Sequence, residues 1–505
     1  MDVPLGFQRI LKGGVIAVCL AFLAVLLWAS GVGADEAPLY VLPLSFVIVI
    51  WLGFYGHAVI SGRRWAWIAF LALYIFLTEV NLRTRPIGAG GLDWQVAMKL
   101  AVWFGGTFLA MLRINSVIEL LRTPIGAAAM IFMGFMMLSA LWAPDPGDSI
   151  VSSILLFCTL LFAMAMVAEL AVKDILIGLT IGYCLVVLPS LAISPFMASF
   201  APVNADSLGE ADRLRGFTNH PVSLAAICSM LMVCCAALML YFPKRRIILG
   251  GVIVLSLATL MLSQSRMALV AVLASGFIFW LRIRPGASWL IPIGVLAATV
   301  VTLTTASVGL ENVLPKELVK LVSRSGDVNE LLTLTGRSVI WDFTLNQIAD
   351  APILGHGHNS AETIFLERFL FFTVTHAHNL ILQSLFSVGM VGTLFLVTIL
   401  IIQLRTFLIS PDLFRDVMLL TLLVSGITET AFYTRLPGTL SIVWMFTIAL
   451  AAYHVVERRR INAALWAGTG GMEEGLSLGA GFGTDRAPGS VTQPGGKRLS
   501  ESLAG

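Results

Sequence analysis

The fold of this chain is decided by stretches such as residues 376–404, which read HAHNLILQSLFSVGMVGTLFLVTILIIQL. Two histidines and an asparagine open the stretch, and no charged residue follows between Leu380 and Leu404. A helix needs about 20 apolar residues to cross a bilayer core about 30 Å thick. The stretch therefore predicts a membrane-spanning helix with polar groups gathered at its first turn.

The composition extends this prediction to the whole chain of 505 residues, of which 58% are hydrophobic and only 12% are charged. Soluble domains carry about 25% charged residues, so this composition cannot cover a water-exposed surface. We predict an all-α polytopic membrane protein with about 12–14 transmembrane helices. The candidate spans are 13–33, 38–55, 65–80, 96–112, 124–142, 149–170, 174–194, 221–242, 246–263, 266–282, 288–309, 379–404, 416–433 and 437–456.

Basic residues alternate along the chain and predict the orientation of the spans. Cytoplasmic loops carry an excess of Lys and Arg, and every second connection is basic if the N-terminus is inside. The N-terminus resembles a signal peptide, but its long apolar region favours an uncleaved helix. We expect both termini in the cytoplasm and one large folded exterior loop before the third-last helix. The basic connections contain Arg63-Arg64, Arg113 with Arg122, Lys173, Lys244-Arg245-Arg246, Arg282 with Arg284, and Arg405 with Arg415.

Five segments follow from this topology. They are N-terminal transmembrane helices (1–140), central helices of the core (141–309), the exterior loop with short amphipathic helices (310–378), C-terminal helices (379–460) and a disordered cytoplasmic tail (461–505). The tail is expected to be disordered because it is rich in Gly and Ser with scattered charge.

The exterior loop holds four of the seven histidines, at positions 356, 358, 376 and 378. Two His-x-His pairs could bind zinc, but their spacing fits no standard motif, so no metal site is expected. A neutral histidine is a usual general base near neutral pH. His378 is the candidate base because it lies at a helix start, and His376 could orient it. The alternative is a structural His378 beside Asn379, the helix cap.

Arginines mark three exterior segments. Arg213 and Arg215 lie in 212–221, Arg266 follows a tight turn at 263–265, and Arg337 opens the second half of the exterior loop. Guanidinium groups bind phosphate bidentately and stay charged, so such a face could bind a lipid-linked diphosphate. No D-x-D motif is present, which argues against metal-dependent glycosyl transfer. The alternatives are snorkelling of Arg266 to the headgroups and an ordinary polar-loop role for Arg213 and Arg215.

The exterior loop is also predicted to fold into a lid over a lateral opening. Val339, Ile340, Trp341, Phe343, Leu345 and Ile348 are spaced like the buried face of a helix. Trp341 suits the level of the lipid headgroups. A second short apolar helix is expected at about 364–371.

Taken together, these residues resemble the O-antigen ligase-like family, which includes O-antigen ligases and Wzy-type polysaccharide polymerases. The resemblance covers residues 140–405. It rests on Arg213-x-Arg215-Gly216 with Asn219-x-Pro221, Ser263-x-Ser265-Arg266, Gly336-Arg337 with Trp341, Pro352-Ile353-Leu354-Gly355-x-Gly357, and His378-Asn379-x-x-Leu382-Gln383 with Gly389.

The resemblance implies a metal-independent inverting glycosyltransferase with a GT-C-like fold and no cofactor. The donor would be a glycan on undecaprenyl diphosphate, and the acceptor either lipid A core or a second lipid-linked glycan. The enzyme would lie in the bacterial inner membrane with a periplasmic active site and no nucleic-acid partner. Arg215 and Arg266 would hold the diphosphate, Arg337 would position the donor or the loop, and His378 would be the base. The remaining candidate substrate-binding residues are Arg213, His376, Asn379 and Trp341.

Two departures from the family pattern are the number of spans, larger than in many ligases, and the Gly-rich tail. Three other functions stay open. A peptidoglycan polymerase of the shape–elongation–division type would depend on an exterior acidic residue. A lipid-linked glycan flippase or other transporter would carry charged groups in mid-span, where only Lys99 and Glu169 come near. A scaffold or sensor would leave the arginines without a role.

Overall fold

A computed structural model gives the fold of the chain. It describes residues 53–81, 94–196, 213–284, 337–368, 374–427, 429–430, 433 and 436–478. Within these ranges the regular structure is helical and contains no strand. The predicted spans 13–33 and 288–309, and most of 38–55, lie outside the described residues.

Residues 53–60 are helical, and the helices that follow are numbered in chain order. They are α1 (Arg64–Glu79), α2 (Trp94–Met111), α3 (Ile114–Leu121), α4 (Pro124–Leu138), α5 (Pro146–Glu169), α6 (Val172–Ile193), α7 (Pro221–Tyr241), α8 (Arg246–Ser263), α9 (Arg266–Ile283), α10 (Arg337–Asp350), α11 (Ala361–Arg368), α12 (Leu380–Ile409), α13 (Leu413–Gly426) and α14 (Thr439–Leu478).

Eight of the described helices are long and apolar enough to cross a membrane. A ninth span results if α2 and α3, bent by 90° relative to each other, are counted as one. The prediction of an all-α polytopic membrane protein is therefore confirmed. Two other predicted spans correspond to helices that are shorter than these eight: α1 has 16 residues and α13 has 14.

The helices pack through aromatic and small residues. Tyr74 of α1 stacks on Phe162 of α5 with ring centroids 4.5 Å apart, and its hydroxyl lies 3.0 Å from the Thr159 hydroxyl. Gly178 and Gly182 let α6 approach α1 closely, because a Cβ at either position would press on the α1 backbone carbonyls. Tyr74 and Phe162 belong to the large apolar core that the membrane helices share.

Helix α12 is broken at Gly389, whose φ of 62° and ψ of −167° are not helical. The break frees two carbonyls of the preceding turn. The Phe386 carbonyl accepts a hydrogen bond from His356 N, and the Ser387 carbonyl accepts one from Gly357 N, each at 2.8 Å. Beyond the break, Met390 N donates to the Pro352 carbonyl at 2.9 Å. Residues 352–357 are thus bonded to the broken helix by their backbone.

The far end of α12 holds a buried charge cluster. Asp416 of α13 pairs with Arg415 at 2.6 Å and with Arg282 of α9 at 2.7 Å. Arg282 also donates to the Phe407 carbonyl at 2.8 Å. Buried charges are tolerated when they are paired and hydrogen-bonded, and here they join the ends of three helices opposite the histidine-bearing end.

The chain divides into a unit of residues 1–456, which contains the site, and a unit of residues 457–505. Helix α14 continues to Leu478, so part of the segment predicted as a tail is helical. Residues 479–505 lie outside the described part of the chain.

Candidate functional site

His378 lies directly before α12 and is held in an uncommon backbone conformation. Its φ of 49° falls in the left-handed region, which residues other than glycine rarely occupy. The next residue, Asn379, caps the helix: its Oδ1 accepts from Ile381 N and Leu382 N, each at 3.0 Å. The Asn379 amide also donates to the Ile427 carbonyl at 3.1 Å. The amide oxygen and the amide nitrogen of Asn379 are therefore both hydrogen-bonded, which fixes the backbone beside His378.

Ala377, between the two histidines, is fixed through both of its backbone groups. Its carbonyl accepts from the Trp341 indole at 2.9 Å, and its N–H donates to Gln383 Oε1 at 2.8 Å. Gln383 is itself buried and donates to Ser387 Oγ at 3.0 Å. Trp341 thus joins the exterior helix α10 to the start of α12. This clamp fixes where His376 and His378 lie.

His376, His378, Arg337 and Glu429 form the centre of the site. The rings of His376 and His378 are 4.0 Å apart between centroids. His376 Nε2 lies 3.8 Å from one oxygen of Glu429, and an Arg337 nitrogen lies 3.7 Å from the other. All four side chains are partly buried, at the junction between the exterior loop and the membrane helices.

The imidazole of His378 is kept neutral by its surroundings. Burial, followed by the nearby charges of His376, Arg337 and His220, holds its pKa well below the usual value for histidine. Its Nδ1 is buried without a hydrogen-bond partner among the described residues. A neutral ring with a free nitrogen can accept a proton or bind an electrophile.

The arginine loop 213–220 is bonded to three helices, α6, α7 and α8. Arg213 is buried, and its Nε donates to the Ser263 carbonyl at 3.0 Å. Leu214 N donates to the Leu262 carbonyl at 2.9 Å, and Phe217 N donates to Ser190 Oγ at 3.1 Å. His220 caps α7 by accepting from Val222 N at 3.2 Å. The charge of His220 also contributes to the low pKa of His378.

The two arginines of this loop are placed differently. Whereas Arg213 is tied to the α8–α9 turn, Arg215 is partly buried and its Nε has no hydrogen-bond partner among the described residues. Burial lowers the pKa of Arg215, the sign of a desolvated guanidinium. Arg266 begins α9 immediately after the turn to which Arg213 is bonded. Two of the three arginine segments predicted from the sequence therefore meet.

The described part of the exterior loop has a small core of its own. Ile340 of α10 and Phe365 of α11 are buried with Val374 and Phe386. Ring packing joins the loop to the membrane helix, because Phe365 and Phe386 are 5.3 Å apart between centroids. The described part of the loop is therefore folded, and a lid over a lateral opening stays a prediction.

The buried face of α10 and the boundaries of α11 differ in part from the sequence prediction. Val339 and Leu345 are 56% and 51% exposed, so the buried face of α10 is narrower than predicted. The second short helix begins at Ala361, three residues before the predicted start at 364, and is described as far as Arg368. Residues 369–373 are not among those described.

The other two histidines of the loop lie outside the centre. His356 Nε2 is 2.8 Å from the Gln347 carbonyl, and its ring packs on Phe386. His358 is fully buried, and its backbone N–H donates to Ser139 Oγ at 2.8 Å. Burial lowers the pKa of His358 to about 3. Both residues hold the loop on the helices rather than serving the site.

Glu429 is the site residue that the sequence prediction missed. The predicted span 416–433 would place it inside a helix, but α13 ends at Gly426. Glu429 lies just beyond that end. The available signal was the sequence Thr428-Glu429-Thr430, three consecutive polar residues that interrupt the apolar pattern.

Comparison with known families places this site in context. Residues 251–397 match the family model described as O-antigen ligase. The match begins in α8, ends in α12 and contains Arg266, Arg337 and His378. It confirms the resemblance to the O-antigen ligase-like family and supports, at the level of the family, a glycosyltransferase of the ligase or polymerase type. No curated protein matches the chain.

Proposed function

We propose that this protein transfers a glycan from undecaprenyl diphosphate to an acceptor hydroxyl at the periplasmic face of the bacterial inner membrane, as a metal-independent inverting glycosyltransferase. The observation that carries the proposal is the position of His378. It lies within the matched region, at the start of a membrane helix, with a neutral imidazole beside Arg337.

His378 is the proposed general base. In an inverting transfer, the acceptor hydroxyl attacks the anomeric carbon on the face opposite the leaving diphosphate while a base removes the hydroxyl proton. The unpartnered Nδ1 of His378 offers such a base without a competing hydrogen bond. The clamp on Ala377 and the Asn379 cap keep the ring in place, which lowers the entropic cost of the reaction.

Arg215, Arg266 and Arg337 are the proposed ligands of the diphosphate. Fixed positive charge stabilises the negative charge that builds up on the leaving group, and it does so most in a site that excludes water. Arg215 fits this role better than Arg213, because Arg213 is already bonded to the Ser263 carbonyl. Asn379, Trp341 and His376 act as positioning residues in this proposal.

The acceptor is either lipid A core, which makes the protein a ligase, or a second lipid-linked glycan, which makes it a polymerase. Both reactions use the same base and the same diphosphate ligands. They differ in the surface that presents the acceptor hydroxyl, so the accumulated glycan distinguishes them.

Glu429 supports a second candidate, a peptidoglycan polymerase of the shape–elongation–division type. That class was expected to depend on an exterior acidic residue, and Glu429 is a carboxylate within the centre. Its two oxygens lie near Arg337 and His376, however. This arrangement favours a carboxylate that orients Arg337 and His376 over one that removes a proton.

The test is complementation of a null strain with wild type, His378→Ala, Arg266→Ala and Glu429→Gln, with membrane levels matched by immunoblot. We expect His378→Ala and Arg266→Ala to lose glycan transfer by at least about 100-fold while the lipid-linked donor accumulates. Glu429→Gln should retain part of the activity. The matched control is Thr398→Ala on α12, because the exposed Thr398 hydroxyl donates to the Leu394 carbonyl of the same helix.

Normal polymer in both His378→Ala and Arg266→Ala would refute the proposal and favour a transporter. Complete loss in Glu429→Gln with activity retained in His378→Ala would favour the second candidate. In a null strain, single repeat units on lipid A core indicate a missing polymerase. Long chains left on undecaprenyl diphosphate indicate a missing ligase.

A further inference from the structure

The ligand-type atoms of His376, His378 and Glu429 lie within 4.8 Å of one another. Two imidazoles and one carboxylate are the protein ligands of many zinc sites that keep an open position. We propose that these three residues bind a divalent transition-metal ion, with zinc the best fit, and that the bound ion switches glycan transfer off.

The geometry needs only small side-chain movements to close around an ion. Zinc bonds of about 2.0–2.1 Å place tetrahedral ligand atoms about 3.4 Å apart, compared with 4.8 Å or less here. The three side chains are partly buried rather than enclosed, so rotation about their χ angles can bring them inward. Three protein ligands would leave the fourth position for water.

Neighbouring groups already orient the ligands, as expected of a metal site. The Thr375 hydroxyl lies 3.2 Å from His376 Nδ1 and can accept the proton on that nitrogen. The lone pair then falls on Nε2, the atom that faces Glu429 at 3.8 Å. The buried Nδ1 of His378 has no competing partner among the described residues.

The ligand set selects for transition metals. Mg²⁺ and Ca²⁺ prefer sites built from oxygen atoms, whereas imidazole suits zinc, copper and nickel. Arg337 opposes any cation here, because it lies 3.7 Å from Glu429. A metal on the other carboxylate oxygen, which faces His376, would therefore bind beside that positive charge, and the repulsion weakens its affinity. Reversible binding of a regulatory ion fits this repulsion better than permanent binding of a structural ion.

The effect on transfer rests on the proposed function. His378 cannot accept the acceptor proton while its lone pair is bound to a metal, and the charge of the bound ion repels Arg337. A bound metal ion would therefore block the proposed base and disturb one proposed phosphate ligand at the same time.

The experiment measures binding and activity separately on the purified full-length protein in detergent. Metal-stripped wild type is titrated with Zn²⁺ by calorimetry, and bound Co²⁺ is followed by its visible absorption. The variants are His376→Ala and Glu429→Gln. The control is His454→Ala, because His454 also pairs with a carboxylate, Asp412, at 3.3 Å.

We expect one tightly bound ion per chain in wild type and in His454→Ala. The affinity should fall by about 10–100-fold or more in the other two variants. Thermal unfolding of each variant checks that it is folded. Transfer by wild type should fall as zinc occupancy rises and recover on addition of EDTA.

Two failures can be told apart. If zinc binds as expected but the metal-free wild type transfers no glycan, the proposed function is wrong and the metal site stands. If the metal-free protein transfers glycan, but zinc binds equally to wild type and both site variants, the metal site is refuted. Zinc binding that leaves transfer unchanged would refute the regulatory role.

Discussion

Arg213 and Arg215 are only two positions apart, but they have different contacts and therefore different expected roles. Arg213 is 6% exposed and bonded to the Ser263 carbonyl, so it belongs to the framework. Arg215 keeps an unpartnered Nε among the described residues, so it is available to a ligand. The sequence placed both in one motif and could not separate them, because their difference depends on a turn about 50 residues away.

The substitutions Arg213→Gln and Arg215→Gln test this division of labour. Arg215→Gln should lower glycan transfer by about 100–1,000-fold, the usual effect of losing a group that stabilises transition-state charge, at an unchanged unfolding temperature. Arg213→Gln should instead destabilise the fold by about 1–3 kcal/mol, because the buried Ser263 carbonyl loses its donor. Donor kinetics and thermal unfolding on the same preparations provide both readouts. The opposite pattern would reassign the phosphate ligand to Arg213.

At the same scale, the sequence predicted a role for His378 and Asn379 but did not single out Glu429. The pair stands out because it precedes a long apolar run directly, so its place at a helix start follows from local pattern. Glu429 is 51 positions further along and follows a helix shorter than its apolar run predicted. Only the tertiary fold brings it to His376.

Among the elements, the break in α12 decides how the exterior loop is held. An unbroken helix would keep its carbonyls for its own i→i−4 bonds and offer none to residues 352–357. Gly389 permits the break because its φ and ψ lie in a region that is essentially open to glycine alone. The sequence motif contained Gly389 and Gly355, but their pairing is visible only in the fold.

Gly389→Ala should therefore be strongly destabilising. The left-handed backbone costs about 1–3 kcal/mol for a residue with a Cβ, and that Cβ would overlap the Ile353 carbonyl. We expect a lower unfolding temperature in detergent and reduced transfer, since the loop that carries the centre loses its attachment. Gly134→Ala on α4, where a Cβ meets nothing within 4 Å, is the matched control. Equal stability of the two variants would contradict this account of the break.

For the whole molecule, the length of the apolar runs predicted the helices well wherever long apolar runs alternate with short polar connections. The span predicted at 174–194 corresponds to α6, Val172–Ile193, and that at 266–282 to α9, Arg266–Ile283. Prediction was weaker where helices are short or bent, as at α13 and at the 90° bend between α2 and α3. Hydropathy reports apolar length, whereas a bend depends on what packs around it.

Orientation across the membrane is a separate property, and we predict it from the distribution of charge. Because cytoplasmic loops carry an excess of Lys and Arg, the turn between α7 and α8 is predicted to lie inside and the exterior loop in the periplasm. Single cysteines at two exposed positions, Lys244→Cys in that turn and Asn346→Cys on α10, test this assignment in intact cells. The described native cysteines are buried or half-buried, and an unsubstituted chain measures their background.

A membrane-impermeant maleimide should label Asn346→Cys in cells with a permeabilised outer membrane, and Lys244→Cys only after the inner membrane is disrupted. Labelling of Lys244→Cys in intact cells, with Asn346→Cys protected, would invert the topology. The histidine centre would then face the cytoplasm, away from a donor presented in the periplasm. Because that outcome would remove the substrate from the site, the side of the membrane is as decisive for the proposed reaction as the identity of His378.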